Sequence, residues 1–242
     1  MFKIAIDAGH GMNTPGKRCL KTLDAKETRE WYLNDRIADK IEKKLASYDG
    51  YQLIRVDDTT GKTDVALKTR VNKANEFEAD ICVSIHHNAH DPKSIGQNGG
   101  SGSGVIVIVY TKASQKSKEY QKIIYDELIK ETGLKGNRSN PMPTQNLYVC
   151  RETEMPCVLA ECGFMDSVTD TKIILTEDFA DKAAEAFVNA LVEIGNLKKK
   201  SETPKDTSGK LYRVQVGCYS KRENAEAMKK KLMADGYDAI IV

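Results

Sequence analysis

Six short apolar runs alternate along this chain with segments whose apolar residues recur at helical spacing, and that alternation restricts the fold more than any other feature. The runs are Phe2–Asp7, Tyr51–Val56, Asp80–His86, Gly104–Tyr110, Leu147–Cys150 and Cys157–Cys162. After Trp31, Leu33, Ile37, Ile41 and Leu45 fall on one helix face. Val65, Leu67, Val71 and Ala74 pattern the stretch 64–77, and Tyr120, Ile124 and Leu128 the stretch 114–131. Phe179, Ala183, Phe187, Leu191 and Ile194 do the same for 178–194. Strands alternating with helices predict an α/β fold: three αβα layers around a mostly parallel six-stranded sheet covered on both faces.

Helical periodicity stops at Gly195. Residues 196–209 (NLKKKSETPKDTSG) are polar and lysine-rich and read as a linker. Treated as a flexible coil, it would span about 20 Å. Beyond it, Leu211–Val216 alternates like a strand, and Lys221–Asp235 places Ala225, Met228 and Leu232 on one helix face. Asp238–Val242 begins another strand. The expected organisation is therefore a main domain over 1–195, a linker over 196–209 and a small βαβ C-terminal element over 210–242. An element of about 33 residues buries too little surface to be stable alone. It is expected to pair with a second copy, giving a homodimer, or with further chain.

The net charge of +2 is too near zero to argue for nucleic acid as a partner. No apolar stretch approaches the roughly 18 residues of a membrane span, which argues against membrane insertion. The chain enters a strand directly, without a basic segment followed by a long apolar run, so no secretory signal is read. Six cysteines include no Cys-x-x-Cys pair, and four of them lie in the apolar runs. They read as reduced core thiols of a protein made in a reducing cytoplasm.

The chemistry-bearing residues gather where strands end. Phe2–Asp7 runs into Ala8-Gly9-His10-Gly11, which delivers His10 to the carboxyl end of the first strand, the edge at which open α/β sheets bind ligands. Ser84-Ile85-His86-His87-Asn88-Ala89-His90 delivers His86 to the same kind of edge. Two such histidines bind one metal if their strands are neighbours, and a hydrolytic zinc site needs a third ligand and an open position. Glu30, just before an amphipathic helix, is a candidate third ligand, and Glu27 competes with it; spacing alone does not choose between them. Glu161 closes the apolar run Cys157–Cys162, where a carboxylate must be paired, hydrogen-bonded or raised in pKa. A raised-pKa glutamate beside a metal suits a general base. Gly99–Gly104 (GGSGSG) lacks the lysine and helix start of a phosphate-binding loop and reads as a flexible loop at a cleft rim.

Taken in order, Asp7-Ala8-Gly9-His10-Gly11, Glu30 with Asn34, Ser84-Ile85-His86-His87-Asn88-Ala89 and Pro156…Glu161-Cys162-Gly163-Phe164 closely resemble the zinc-dependent N-acetylmuramoyl-L-alanine amidases of the Amidase_3 family. The resemblance covers roughly residues 1–195. It implies that His10, Glu30 and His86 bind Zn²⁺, favouring Glu30 over Glu27, and that Glu161 is the catalytic glutamate. The chain departs from the family where His87 replaces a residue that is often small, and where Met165-Asp166-Ser167 stands in place of an early asparagine. His87 is expected to line the cleft or face solvent, and His90 has no family role. Leu211–Ser220 followed by Glu223-Asn224-Ala225 resembles the first half of a SPOR domain, which implies binding to peptidoglycan glycan strands.

The resemblance thus implies a peptidoglycan hydrolase that cuts the amide between N-acetylmuramic acid and L-alanine of the stem peptide, degrading the bacterial cell wall. The alternatives are a zinc hydrolase of another amide or peptide bond, and an inactive wall-binding module. No serine stands in a Gly-x-Ser-x-Gly elbow, which argues against a serine nucleophile. Without a signal sequence, the expected route to the wall is release by lysis, as for an endolysin.

Overall fold

The computed structural model describes residues 1–90, 99–200 and 215–241. The chain divides into two units, Met1–Lys200 and Ser201–Val242. In the first unit, β1 (Phe2–Ala8), β3 (Tyr51–Arg55), β4 (Ile81–Asn88), β5 (Ile106–Tyr110), β6 (Thr144–Gln145) and β7 (Cys157–Phe164) form a six-stranded sheet in the order β3-β1-β4-β7-β5-β6. Every pairing is parallel except that of β5 with β7. The small strands β2 (Tyr48–Asp49) and β8 (Lys198–Lys199) make a separate antiparallel pair.

Strand alternation sorts the side chains into two cores. Ile4, Ile6, Ile81, Val83, Ile85 and Val158 pack beneath α1 (Glu30–Leu45), α3 (Gln115–Thr132) and α6 (Glu177–Gly195). Ala5, Cys82, Ile106, Ile108 and Leu159 face the other way, against α2 (Leu67–Glu76) and α4 (Tyr148–Glu152). These are the three layers expected from the sequence. Helix starts follow local chemistry: the Ser114 hydroxyl accepts from the Ser117 N–H ahead of α3, and Thr176 does the same for Phe179 ahead of α6. A short helix, α5 (Asp170–Ile174), follows β7.

Three expectations are corrected. Leu147–Cys150, read as a strand, is mostly the helix α4, and the sixth strand is the two-residue β6 just before it. A short apolar run fits a buried helix turn as well as a strand. The lysine run assigned to the linker is part of the first unit: Lys198 and Lys199 pair with Asp49 and Tyr48, Leu197 is buried, and the Lys200 N–H donates to the Ser47 carbonyl. In the second unit α7 (Arg222–Ala234) forms, with Ala225, Met228 and Leu232 half-buried, but no strand is assigned over 215–216 or 238–241. A strand needs a ladder partner, and none is present among the described residues. Residues 211–214 and 242 of the expected tail strands, and 201–209 of the expected linker, lie outside the described residues. Among the described residues no helix is long and apolar enough to cross a membrane.

Candidate active site

Sheet order decides what meets at the carboxyl edge. β1, β4 and β7 are adjacent and parallel, with Ala8 in register with Ile85 and His86 in register with Glu161. The histidine of the turn after β1, the histidine of β4 and the glutamate of β7 are therefore brought side by side. α1 adds Glu30 from its first turn, where a carboxylate also suits the positive end of the helix dipole.

One donor atom from each of His10, Glu30 and His86 lies within 4.8 Å of the others. Glu30 Oε1 is 3.0 Å from His86 Nδ1 and 3.3 Å from His10 Nε2, and the two imidazoles stand perpendicular with centroids 4.9 Å apart. Glu30 is 1 % exposed. Burial works to raise its carboxyl pKa, but His10 and His86 more than offset this and hold it well below the usual range. His10 Nε2 and Glu30 Oε2 are buried without a hydrogen-bond partner among the described residues. Two imidazoles and a carboxylate converge here, and one imidazole nitrogen and one carboxylate oxygen are left unsatisfied, a donor set that fits a His₂Glu zinc site.

Glu161 lines the same cleft, a cavity of about 500 Å³ walled by Val65, Leu67, Leu147 and Tyr148 as well as the charged residues. Burial pushes its carboxyl up to about 7; His86 opposes the rise, Glu30 adds to it, and Lys17 opposes it. Its Oε2 is also unpartnered.

The competitor Glu27 is turned away. It sits at φ +49° and its carboxylate pairs with Arg18 Nε at 3.1 Å. Gly9 is required by contact: a Cβ there would lie 2.1 Å from His86 Cε1.

Sequence reasoning missed Arg70, the group that fixes the His10 turn. Arg70 is 2 % exposed and spends all five N–H groups: Nε on the Val65 carbonyl, Nη1 on Asp7 and the Ala8 carbonyl, Nη2 on the His10 carbonyl and Asp64. The Ser84 hydroxyl donates to the other Asp7 oxygen at 2.6 Å. The clamp holds His10 at φ +68°, a left-handed conformation uncommon outside glycine. The one signal in the sequence was Asp7, a carboxylate ending a buried strand and so in need of a cation.

His87 neither lines the cleft nor faces solvent; it is 2 % exposed on the α1 side of the sheet. The Asn34 amide nitrogen donates to the Gly9 carbonyl, so its oxygen accepts from His87 Nδ1 at 2.8 Å. The His87 backbone N–H donates to Glu30 Oε1. His90 pairs through Nδ1 with Asp166 at 2.7 Å, and its backbone N–H donates to the same carboxylate. The glycine loop lies against it: a Cβ on Gly100 would come within 2.6 Å of the His90 ring, and the Gly100 N–H donates to the Asp166 carbonyl. The described part of this loop is therefore fastened to the turn after β7.

Comparison with known proteins agrees with this geometry. The family profile described as Amidase_3, N-acetylmuramoyl-L-alanine amidase, matches residues 4–193, and that of the SPOR domain matches 179–242. The chain is 31 % identical over 243 residues to the sporulation-specific N-acetylmuramoyl-L-alanine amidase of Bacillus subtilis (strain 168), covering 100 % of this chain and 85 % of that protein. It is 31 % identical over 219 residues to the endolysin of Bacillus phage SPP1, covering 87 % and 74 %. The crystal structure of the N-acetylmuramoyl-L-alanine amidase from Clostridium difficile 630 superposes with a TM-score of 0.69 at 30 % identity, covering 79 % of this chain and 95 % of that one. Fold, site and sequence agree: the chain belongs to the Amidase_3 family of N-acetylmuramoyl-L-alanine amidases.

Proposed function

We propose that this chain hydrolyses peptidoglycan as a zinc-dependent N-acetylmuramoyl-L-alanine amidase, with His10, Glu30 and His86 holding the metal and Glu161 moving the proton. Family membership supports the amide between N-acetylmuramic acid and L-alanine as the bond cut. The observation that carries the zinc reading is the convergence of three candidate ligands, two of them with an unpartnered buried atom, beside a glutamate with a raised pKa in one open cleft.

Zinc bound there supplies Lewis acidity and makes water a competent nucleophile near neutral pH. The protein does the rest. Arg70 and Asn34 hold the His10 turn, and through it the ligand geometry. Glu161 takes a proton from the attacking water as the new C–O bond forms at the amide carbonyl. It returns that proton to the alanine nitrogen as the C–N bond breaks, so the amine leaves neutral. A carboxyl group with pKa about 7 suits both roles at neutral pH. No covalent intermediate is needed.

The SPOR match supports wall binding by the second unit. Pairing of that unit with a second copy, and release of the protein by lysis, are further parts of the proposal. The five buried free cysteines of the first unit support folding in a reducing compartment. Size exclusion with and without residues 201–242 tests the pairing. Digestion of purified wall tests the bond: new alanine amino groups without new reducing sugar ends are expected, and reducing ends in their place would overturn the reading.

A further inference from the structure

We propose that Lys17 is a specificity-determining residue that recognises a carboxylate on the peptide side of the scissile amide. The proposal rests on the amidase reading above and narrows its substrate to stem peptides whose residue after L-alanine bears a free carboxylate rather than a carboxamide.

Two strongly basic side chains, Arg70 and Lys17, line the cleft among the described residues. Arg70 has no donor left for a ligand, because all five of its N–H groups are spent on the His10 turn, Asp7, Asp64 and Val65. Lys17 is the opposite case. Its side chain is 44 % exposed, and its Nζ lies 3.7 Å from Glu30 Oε2, the long end of ion-pair range. Glu30 is the carboxylate within ion-pair distance of it among the described residues. An ammonium has three donors, so most of its hydrogen-bonding capacity faces the open cleft.

The position is fixed at its base. The Lys17 carbonyl accepts the Glu30 N–H at 3.1 Å, tying the lysine backbone to the first turn of α1. The stem therefore rises from the same point that presents Glu30 to the two histidines. Lys17 is also close enough to Glu161 to act against the rise in its pKa. Among the described residues of the cleft, the strongly basic side chain with free donors thus stands beside the reacting groups.

Apart from Glu161, whose Oε2 is unpartnered, the other carboxylates in the cleft are answered within it. Asp7 and Asp64 are met by Arg70, and Glu30 by the two imidazoles. A bound peptide with an anionic group near the scissile bond would complete Lys17, whereas a carboxamide there offers only a neutral acceptor. Charge-assisted hydrogen bonds are roughly twice as strong as neutral ones, so the choice is one an ammonium can make.

Two synthetic muramyl peptides, identical except for carboxylate or carboxamide on the residue after L-alanine, test the proposal by amine release. The zinc-loaded full chain is expected to prefer the carboxylate by about tenfold in kcat/KM, carried by KM. Lys17→Met is expected to bring that ratio within about twofold of unity, and Lys17→Arg to keep it. The corresponding released peptides give a readout independent of turnover: inhibition by the carboxylate form should weaken about tenfold in Lys17→Met, and inhibition by the carboxamide form less than twofold. Equal wild-type rates on the two substrates, or an equal loss on both in Lys17→Met, would overturn the proposal. Absence of amine from either substrate with wild-type protein would overturn the amidase reading itself, and the proposal with it.

Discussion

Arg70 Nη2 donates to the carbonyl oxygen of His10 at 2.8 Å, so a helix on one face of the sheet sets the backbone of a candidate metal ligand at the sheet edge. The same guanidinium holds Asp7 and the Ala8 carbonyl, making the β1 turn a rigid mount rather than a loop.

Arg70→Lys keeps the charge but loses the fork. Zinc affinity, measured by competition with a chelator, is expected to fall about 10- to 100-fold, the usual cost of removing a group that orients a metal ligand. An affinity within twofold of wild type would show that His10 is held without the clamp.

Gly9→Ala places a Cβ 2.1 Å from the His86 ring. The imidazole must move, because the backbone on either side is fixed in the β1–β4 ladder. A folded protein is expected, destabilised by about 1–3 kcal/mol and deficient in zinc. Circular dichroism and metal content on the same sample check both halves.

Much of this was legible in the sequence because apolar periodicity encodes which face each element buries. α1, α3 and α6 fall where Leu33, Tyr120 and Phe179 begin their patterns, and His10, His86 and Glu161 stood out as candidates because each lies at or just past the end of an apolar run. Glu30 was separated from Glu27 only by resemblance; the structure supplies the physical reason, which is that Glu27 bonds Arg18. Leu147–Cys150 was misread because four apolar residues carry no period. Arg70 was missed, and the contacts made by Asn34 and Asp166, both quoted from the sequence, were hidden because they join distant segments. Lys198 and Lys199 were hidden because a surface strand with exposed lysines has the composition of a linker.

His87 gives the metal-free protein a pH dependence. Burial lowers its pKa to about 3, against 6.5 for the free side chain. Below pH 6.5 the unfolded chain takes up a proton that the native state refuses, so native stability is present above that pH and is lost as pH falls toward 3. Between pH 6.5 and 5 the loss is about 2 kcal/mol. Urea denaturation of wild type and His87→Gln, with chelator present, should show that slope in the first protein and its absence in the second.

The division of labour between the metal ligands and Glu161 is tested most directly by amine release from purified wall, with Glu161→Gln protein whose zinc content has been measured. The account requires one zinc per chain in that variant and turnover reduced by about 10²- to 10⁴-fold, while His86→Ala loses both zinc and turnover. Glu161→Gln protein that carries zinc and releases alanine amines at the wild-type rate would contradict it.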